Sequence, residues 1–270
     1  MAQLLRHTFK VSCLGMKLLP DGPDIPQELI AAQEKGEVLF ICGAGVSMTV
    51  GLPSFRGLVA AVYGELGENW HLHPAEREVM EQGGRLAGQY DRVLRLLERR
   101  LTAVGTGNAG RLRERLRDAI RIKLQLPQEG EVNLEAHAAL LDLSRDSESQ
   151  IRLVTTNFDT LFERAWPRGG RAPSFAGPAM PQPKTAGCAG VMHLHGRLAD
   201  EHLGLSETDL VLTSAEFGDA YLRSGWASRY VYDLVRAYTV VLVGYQADDP
   251  PMRYLLEVLE ADRQRYSDLR

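Results

Sequence analysis

Three cysteines in 270 residues, Cys13, Cys42 and Cys188, stand far apart and form no C-x-x-C pair. Neither a disulfide framework nor a four-ligand zinc ribbon can be built from them, and their scarcity fits a reducing cytoplasm. A basic excess is also missing: the formal charge is −4, whereas a dedicated nucleic-acid binder carries surplus Lys and Arg that displace counterions from phosphates. No apolar run approaches the roughly 20 residues that span a bilayer. Arg6 and Lys10 stand near the start, but Ser12, Lys17 and Asp21 break the apolar residues that follow, so no secretory core forms. Internal repeats and low-complexity tracts are lacking too. The expectation is a soluble cytoplasmic chain, and its 44% hydrophobic content is ample for a core.

What the sequence does have is concentrated first in residues 38–56, V-L-F-I-C-G-A-G-V-S-M-T-V-G-L-P-S-F-R. The unbroken apolar run Val38 to Cys42 reads as a strand buried on both faces of a parallel sheet. Gly43, Ala44 and Gly45 then allow a sharp turn and close backbone approach, and Val46 and Ser47 open a helix whose N–H groups and positive dipole end suit a diphosphate. A G-x-G turn alone is as readily a tight turn as a phosphate cradle. Later strand ends must decide.

Before this stretch, residues 1–25 form an N-terminal segment with a short strand expected around Phe9–Leu14, a turn at Pro20–Pro23, and then a helix of about ten residues from Pro26 to Gly36. Residues 57–150 read as a helical insertion. Leu94, Leu97 and Leu101 make one stripe, and Leu112, Leu116, Ile120 and Leu124 another, separated by a loop at Gly105–Gly110. The second helix is rich in arginine, from Arg111 to Arg121, which invites a nucleic-acid or partner role; Glu114 and Asp118 favour an ordinary solvated face.

A strand at 151–155 breaks at Thr156 and Asn157 into a helix from about Thr160. Residues 167–189 are a loop rich in Pro, Gly and Ala, Gly190 to Gly196 a strand ending at His195, and residues 210–213 a further strand, with Ser214 capping the next helix. A helix carrying Trp226, Tyr230 and Tyr238 leads to the last strand, 239–243, and a C-terminal helix runs from about Met252. Strands alternating with helices give an α/β fold, a Rossmann-like doubly wound parallel sheet over residues 26–270, interrupted by the helical insertion.

Four strand ends carry polar candidates: Gly43, Ala44, Gly45 and Ser47; Thr156, Asn157 and Asp159; His195 and Gly196; Gly244, Tyr245 and Asp249. Ligands bind at the carboxyl edge of such sheets. In order and spacing the set resembles the sirtuin family and, more closely, the sirtuin-like domains of bacterial anti-phage defence proteins. G-A-G-V-S followed by G-L-P-S-F-R is similar to the sirtuin G-A-G-I-S and G-I-P-D-F-R, T-T-N-F-D to T-Q-N-I-D, H-L-H-G to the segment with the catalytic histidine, and L-V-G-Y-Q-A-D-D-P to the G-Y-S and D-P of the defence-type branch. Two departures point away from peptide deacylation: the C-x-x-C pairs of the zinc ribbon are missing, and Ser54 and Thr156 replace the family's Asp and Gln. The resemblance implies instead NAD hydrolysis to nicotinamide and ADP-ribose without a metal.

Residue chemistry fits that implication. Cleaving the nicotinamide–ribose bond passes through an oxocarbenium-like state, so a site must hold the diphosphate, orient the ribose and deliver a base and a water. The glycine turn, Phe55 and Arg56 are assigned to the dinucleotide, Arg56 through its fork of donors. His195 is the expected base, Asn157 the group that fixes a water or ribose hydroxyl, and Asp159 its neighbour or a helix cap. Tyr245 and Asp249 are expected on the adenosine side, although Asp249 before Pro250 could equally start a helix. His193 is expected on the opposite sheet face in a structural role, and Cys42 as a buried small hydrophobe. The expected protein is an anti-phage defence effector acting by NAD depletion, as a homo-oligomer or bound to a regulatory partner; a zinc-free deacylase and a non-catalytic NAD or ADP-ribose sensor are the alternatives.

Overall fold

Alternating contacts on successive residues of each strand build two cores, one on either side of a single sheet. The computed structural model describes residues 16–17, 20–81, 88–104, 109–125, 132–167, 170–185, 187–245 and 250–265; the strand expected at Phe9–Leu14 lies outside them. A short antiparallel pair, β1 (Met16–Lys17) and β2 (Asp24–Ile25), precedes α1 (Gln27–Glu34), which begins one residue after Pro26 and stops before Gly36. All five residues of β3 (Val38–Cys42) are buried. With β4 (Arg152–Thr155), β5 (Ser174–Ala176), β6 (Gly190–His193) and β7 (Thr239–Val243) it forms a parallel sheet ordered β5-β6-β4-β3-β7.

Leu39 and Ile41 of β3, Val154 of β4 and Met192 of β6 face one side, packing on Ala227, Val231 and Leu234 of α10 (Trp226–Ala237) and Met252 of α11 (Pro250–Arg265). Val38, Phe40 and Cys42, with Leu153 and Val191, face the other, covered by Ala32 of α1, Leu140 and Leu141 of α7 (Glu135–Leu143) and Phe162 of α8 (Leu161–Arg164). Period-two alternation with helices on both faces is the doubly wound arrangement the sequence pattern predicts.

Between β3 and β4 the chain also forms α3 (Phe55–Glu65), α4 (Pro74–Met80), α5 (Tyr90–Val104) and α6 (Ala109–Lys123) after a single turn, α2 (Ala44–Ser47). Val59, Val62, Leu94, Leu97, Leu116 and Ile120 bury a third core, which also takes Phe158, Leu198, Leu210 and Leu212 from the sheet's loops. Each such side chain contributes about 2 kcal/mol by burial, several times the value of an exposed ion pair. Arg113, Arg121 and Lys123 of α6 are accordingly surface ties: Arg121 makes two bonds to Glu207 at 2.7 and 2.8 Å, Arg113 meets Glu98 at 2.6 Å, and Lys123 meets Glu65 at 2.7 Å. This is the charge-balanced face, extended by the reach of Arg121 across to residue 207.

Four local expectations need correction. Residues 210–213 form no strand: Leu210 and Leu212 pack into the helical core and Val211 into the sheet's core, so alternation there reflects two packing partners rather than a ladder. Thr213, not Ser214, caps α9 (Ser214–Gly218), in a capping box with Glu216. The stretch 167–189 is not all loop, since it contains β5 at the sheet's far edge. Tyr238 lies just past α10.

Candidate functional site

Register brings the polar motifs to one level. Cys42 pairs with Thr155 and with Val243, and Thr155 with His193, so the residues after them emerge side by side at the carboxyl edge. Two loops interlock there. Gly43 N–H donates to Val243 O at 3.0 Å, and Gly45 N–H to Gly244 O at 2.8 Å. A Cβ on Gly43 or Gly45 would lie 2.7 Å from Tyr245 Cβ or Gly244 Cα, and one on Gly244, at φ +60°, 2.6 Å from Val46 N. The glycines are thus required by loop-against-loop packing, and the backbone they approach most closely is the chain's own. Ala44 is half-buried between them.

Asn157 sits in a closed polar corner. Its side-chain amide donates to Ser47 Oγ at 2.9 Å and to Gly43 O at 3.2 Å, while Ser47 Oγ donates to Asp159 Oδ2 at 2.8 Å. Thr155 Oγ1 accepts from Asn157 N–H at 3.1 Å and donates to Cys42 O at 3.1 Å; Thr156 N–H donates to Cys42 O at 3.0 Å. Both amide hydrogens of Asn157 are committed, and among the described residues no donor is bonded to its Oδ1, so the group it offers a ligand is an acceptor. Asp159 also accepts Leu161 N–H at 3.2 Å, so from the position before the N-cap Thr160 it satisfies the first N–H of α8 and braces Ser47. Burial pushes its carboxyl above the ordinary range, against the lowering pull of Ser47, Leu161 N–H and His193.

His195 sits against an aromatic wall. Its Nε2 lies 2.9 Å from Tyr221 OH, and its ring meets Phe217 edge-on at 4.9 Å. Tyr221 belongs to a π-helical turn, Asp219–Arg223, that continues α9; such turns recur at functional sites. The backbone of His195 is tied to the 206–213 segment, since Val211 N–H donates to its carbonyl at 2.9 Å. Gly196, at φ +88°, lets that segment pass: a Cβ there would lie 2.1 Å from Asp209 O.

His193 reaches a different element. Its Nε2 is 2.7 Å from Glu163 Oε1 and its Nδ1 3.0 Å from Asn157 O. Two residues apart in a continuous strand would share a face; β6 ends at His193, and beyond it the chain turns His195 to α9 and the π-helical turn. The rings part for that reason and not by strand alternation. Glu163 also accepts from Ser174 Oγ, to which Arg197 donates at 2.6 Å. Burial pushes the Glu163 carboxyl up, but the charge and hydrogen bond of His193 and the Ser174 bond outweigh it, leaving it below the ordinary range.

The remaining assigned residues lie farther out. Ser54 caps α3, accepting Gly57 N–H at 3.2 Å. Arg56 turns its fork to the Met80 carbonyl, with Nε and Nη2 at 3.3 and 3.0 Å, and Phe55 packs edge-on to Tyr90 at 6.1 Å. Tyr245 is half-buried against the sheet's core. Asp249 lies outside the described residues. Burial holds the Cys42 thiol far above its ordinary range, which disfavours the thiolate that a nucleophile needs. Among the described residues no group of three or more His, Cys, Asp or Glu is placed to hold a metal, and no single helix is long and apolar enough to cross a membrane. Sequence reasoning missed Glu163, Ser174, Arg197, Phe217 and Tyr221; only Arg197, directly after H-L-H-G, carried a positional signal.

Residues 151–268 match the SIR2-like domain family, so the match begins at β4 and leaves the glycine loop of β3 outside it. SIR2-like domains bind NAD, and the match includes Asn157, Asp159, His193, His195, Gly244 and Tyr245. The chain is also 46% identical over 260 residues to the uncharacterized protein y4cA of Sinorhizobium fredii (strain NBRC 101917 / NGR234); the alignment covers 94% of this chain and 20% of that protein. The chain therefore spans about a fifth of that relative's length.

Proposed function

We propose that this chain is an NAD glycohydrolase acting without a metal. The observation that carries the reading is the placement of Asn157 and His195 after neighbouring parallel strands within the SIR2-like match, in a chain whose three cysteines supply no ribbon of zinc ligands. The reaction is NAD plus water giving nicotinamide and ADP-ribose. The bond between the nicotinamide nitrogen and ribose C1′ breaks with its electron pair going to the ring nitrogen, water oxygen bonds to C1′, and the water proton passes to a base.

Asn157 Oδ1 is the acceptor for a ribose hydroxyl or the attacking water, held in place because its amide is fixed by Ser47 and Gly43 O. His195 is the base, its ring oriented by Tyr221 and Phe217. Thr156, Gly244 and Tyr245 line the same edge, and Phe55 and Arg56 serve the dinucleotide only if Arg56 releases the Met80 carbonyl. The biological setting we propose is cytoplasmic anti-phage defence by NAD depletion, within a homo-oligomer or a complex with a regulatory partner that restrains turnover.

The test is nicotinamide release from NAD, without any acylated peptide, by the chain alone and in its native assembly. Release is expected, and His195→Ala or Asn157→Ala is expected to abolish it while leaving a folded protein. Unchanged turnover in both variants overturns the site. Formation of O-acyl-ADP-ribose dependent on an acylated peptide moves the protein to the deacylases; tight NAD binding without turnover in the native assembly makes it a sensor.

A further inference from the structure

Asn157 is gripped at both ends, and only the side-chain end belongs to the polar corner already described. The other end is its peptide carbonyl, which receives His193 Nδ1 at 3.0 Å. A carbonyl oxygen can only accept, so that ring nitrogen must carry the proton. The 2.7 Å contact of Nε2 with Glu163 Oε1 then needs a second proton, on Nε2 or on Glu163, because a bare ring nitrogen and a carboxylate oxygen can both only accept. His193 and Glu163 are both buried, and the other Glu163 oxygen makes no hydrogen bond among the described residues. The pair continues outward through Ser174 Oγ to Arg197, whose Nη2 donates to Ser206 O at 3.1 Å.

A histidine with both nitrogens engaged has one ring orientation, because a flip would turn both contacts to carbon. Fully buried, it cannot exchange those partners for water. We propose that His193, locked by Glu163, is a positioning residue for Asn157: its Nδ1–H holds the Asn157 peptide so that Oδ1 meets the ligand at a fixed angle. The arrangement parallels second-shell carboxylate–histidine pairs at metal centres, where the outer carboxylate sets tautomer and orientation. Here the ring holds a peptide carbonyl in place of a metal. The part of the role that concerns turnover rests on the hydrolase reading.

Two substitutions separate the ends of the ring. His193→Asn keeps a donor near the position of Nδ1 and gives up the contact to Glu163; His193→Gln keeps a polar group near Nε2 and gives up the donor to Asn157 O. Glu163→Gln is combined with His193→Asn so that no buried carboxylate is stranded. The readouts are kcat and KM for nicotinamide release, the calorimetric Kd for NAD, and thermal melting of each variant.

The expected result is that His193→Gln loses about tenfold in kcat or in NAD affinity, while the His193→Asn, Glu163→Gln protein stays within about twofold of the parent chain although its melting temperature also falls. Equal losses in the two proteins, or losses that track melting temperature alone, overturn the positioning role and leave His193 as packing. Parent protein that binds NAD but releases no nicotinamide in its native assembly sinks the hydrolase reading alone; the two variants are then compared by Kd, where the same contrast supports positioning and its absence overturns it.

Discussion

The corner around Asn157 and the wall around His195 stand on neighbouring strand ends, yet they are built from opposite materials. Around Asn157 nearly every contact is a hydrogen bond between short buried polar groups: Ser47, Asp159, Thr155 and the Gly43 carbonyl. Around His195 the neighbours are the rings of Phe217 and Tyr221, with one hydroxyl among the contacts. A closed polar network fixes position, since moving any member strands a buried donor or acceptor at about 1–3 kcal/mol. An aromatic wall fixes the plane of the ring. That division suits the proposed roles, an acceptor held in place at Asn157 and a base at His195. His137 supplies a third environment: it is fully buried, edge-on to Phe162 at 4.9 Å, and among the described residues neither ring nitrogen has a hydrogen-bond partner.

The largest effect is expected from breaking the polar corner. Asn157→Asp has the same shape but replaces a donor pair with an acceptor facing the Gly43 carbonyl and close to Asp159. Thermal or urea unfolding should show a loss of about 3 kcal/mol at pH 7, recovering partly as pH falls and the new carboxyl is protonated. Unchanged stability would mean that the amide contacts of Asn157 contribute nothing.

His137 gives the next effect. Burial lowers its pKa from 6.5 to about 4. Between those values the unfolded chain binds a proton that the folded chain does not, so stability rises with pH there. Its contribution is fully present above pH 6.5 and is lost as pH falls toward 4. His137→Leu should be neutral or stabilising at pH 7 and should flatten that part of the stability–pH curve, measured by urea midpoints across the range. A curve of unaltered slope would refute the assignment.

The smallest effect is on the aromatic side. Tyr221→Phe keeps the ring and removes the hydroxyl 2.9 Å from His195 Nε2. Stability should change by about 1 kcal/mol or less, while the pH profile of nicotinamide release should shift, because a partner of the proposed base has been taken away. A profile that overlays that of the parent chain would reduce Tyr221 to packing.

Much of the fold was legible because its signals are local. Val38–Cys42 and Thr239–Val243 are apolar runs that needed no partner to be recognised, and the stripe of Leu116, Ile120 and Leu124 states its own period. What was not legible depends on partners distant in the chain. Ser174–Ala176 is three residues in a Pro- and Gly-rich stretch and becomes a strand only beside β6. Leu210 to Leu212 alternate like a strand because two separate cores receive them. The site shows the same limit: Asn157 and His195 stood out by their motifs, whereas Glu163, one charged residue of an ordinary-looking helix, takes its meaning from His193. The glycines of the G-A-G turn were legible as necessary, but the reason lay 200 residues away, in the loop at Gly244.

That distance also has a consequence in time. β3 is the first strand of the five-stranded sheet to be synthesised, and its partners follow at residues 152 and 239. At ribosomal speeds of about 5–20 residues per second, the roughly 200 residues between Val38 and Thr239 take on the order of 10–40 s. Throughout that interval the strand bearing the G-A-G turn is an apolar edge with one or both flanks unpaired, while the helical segment between can pack its own helices early and waits only for Phe158, Leu198, Leu210 and Leu212 to close its core. The carboxyl edge of the sheet is complete only when nearly all of the chain described has been made.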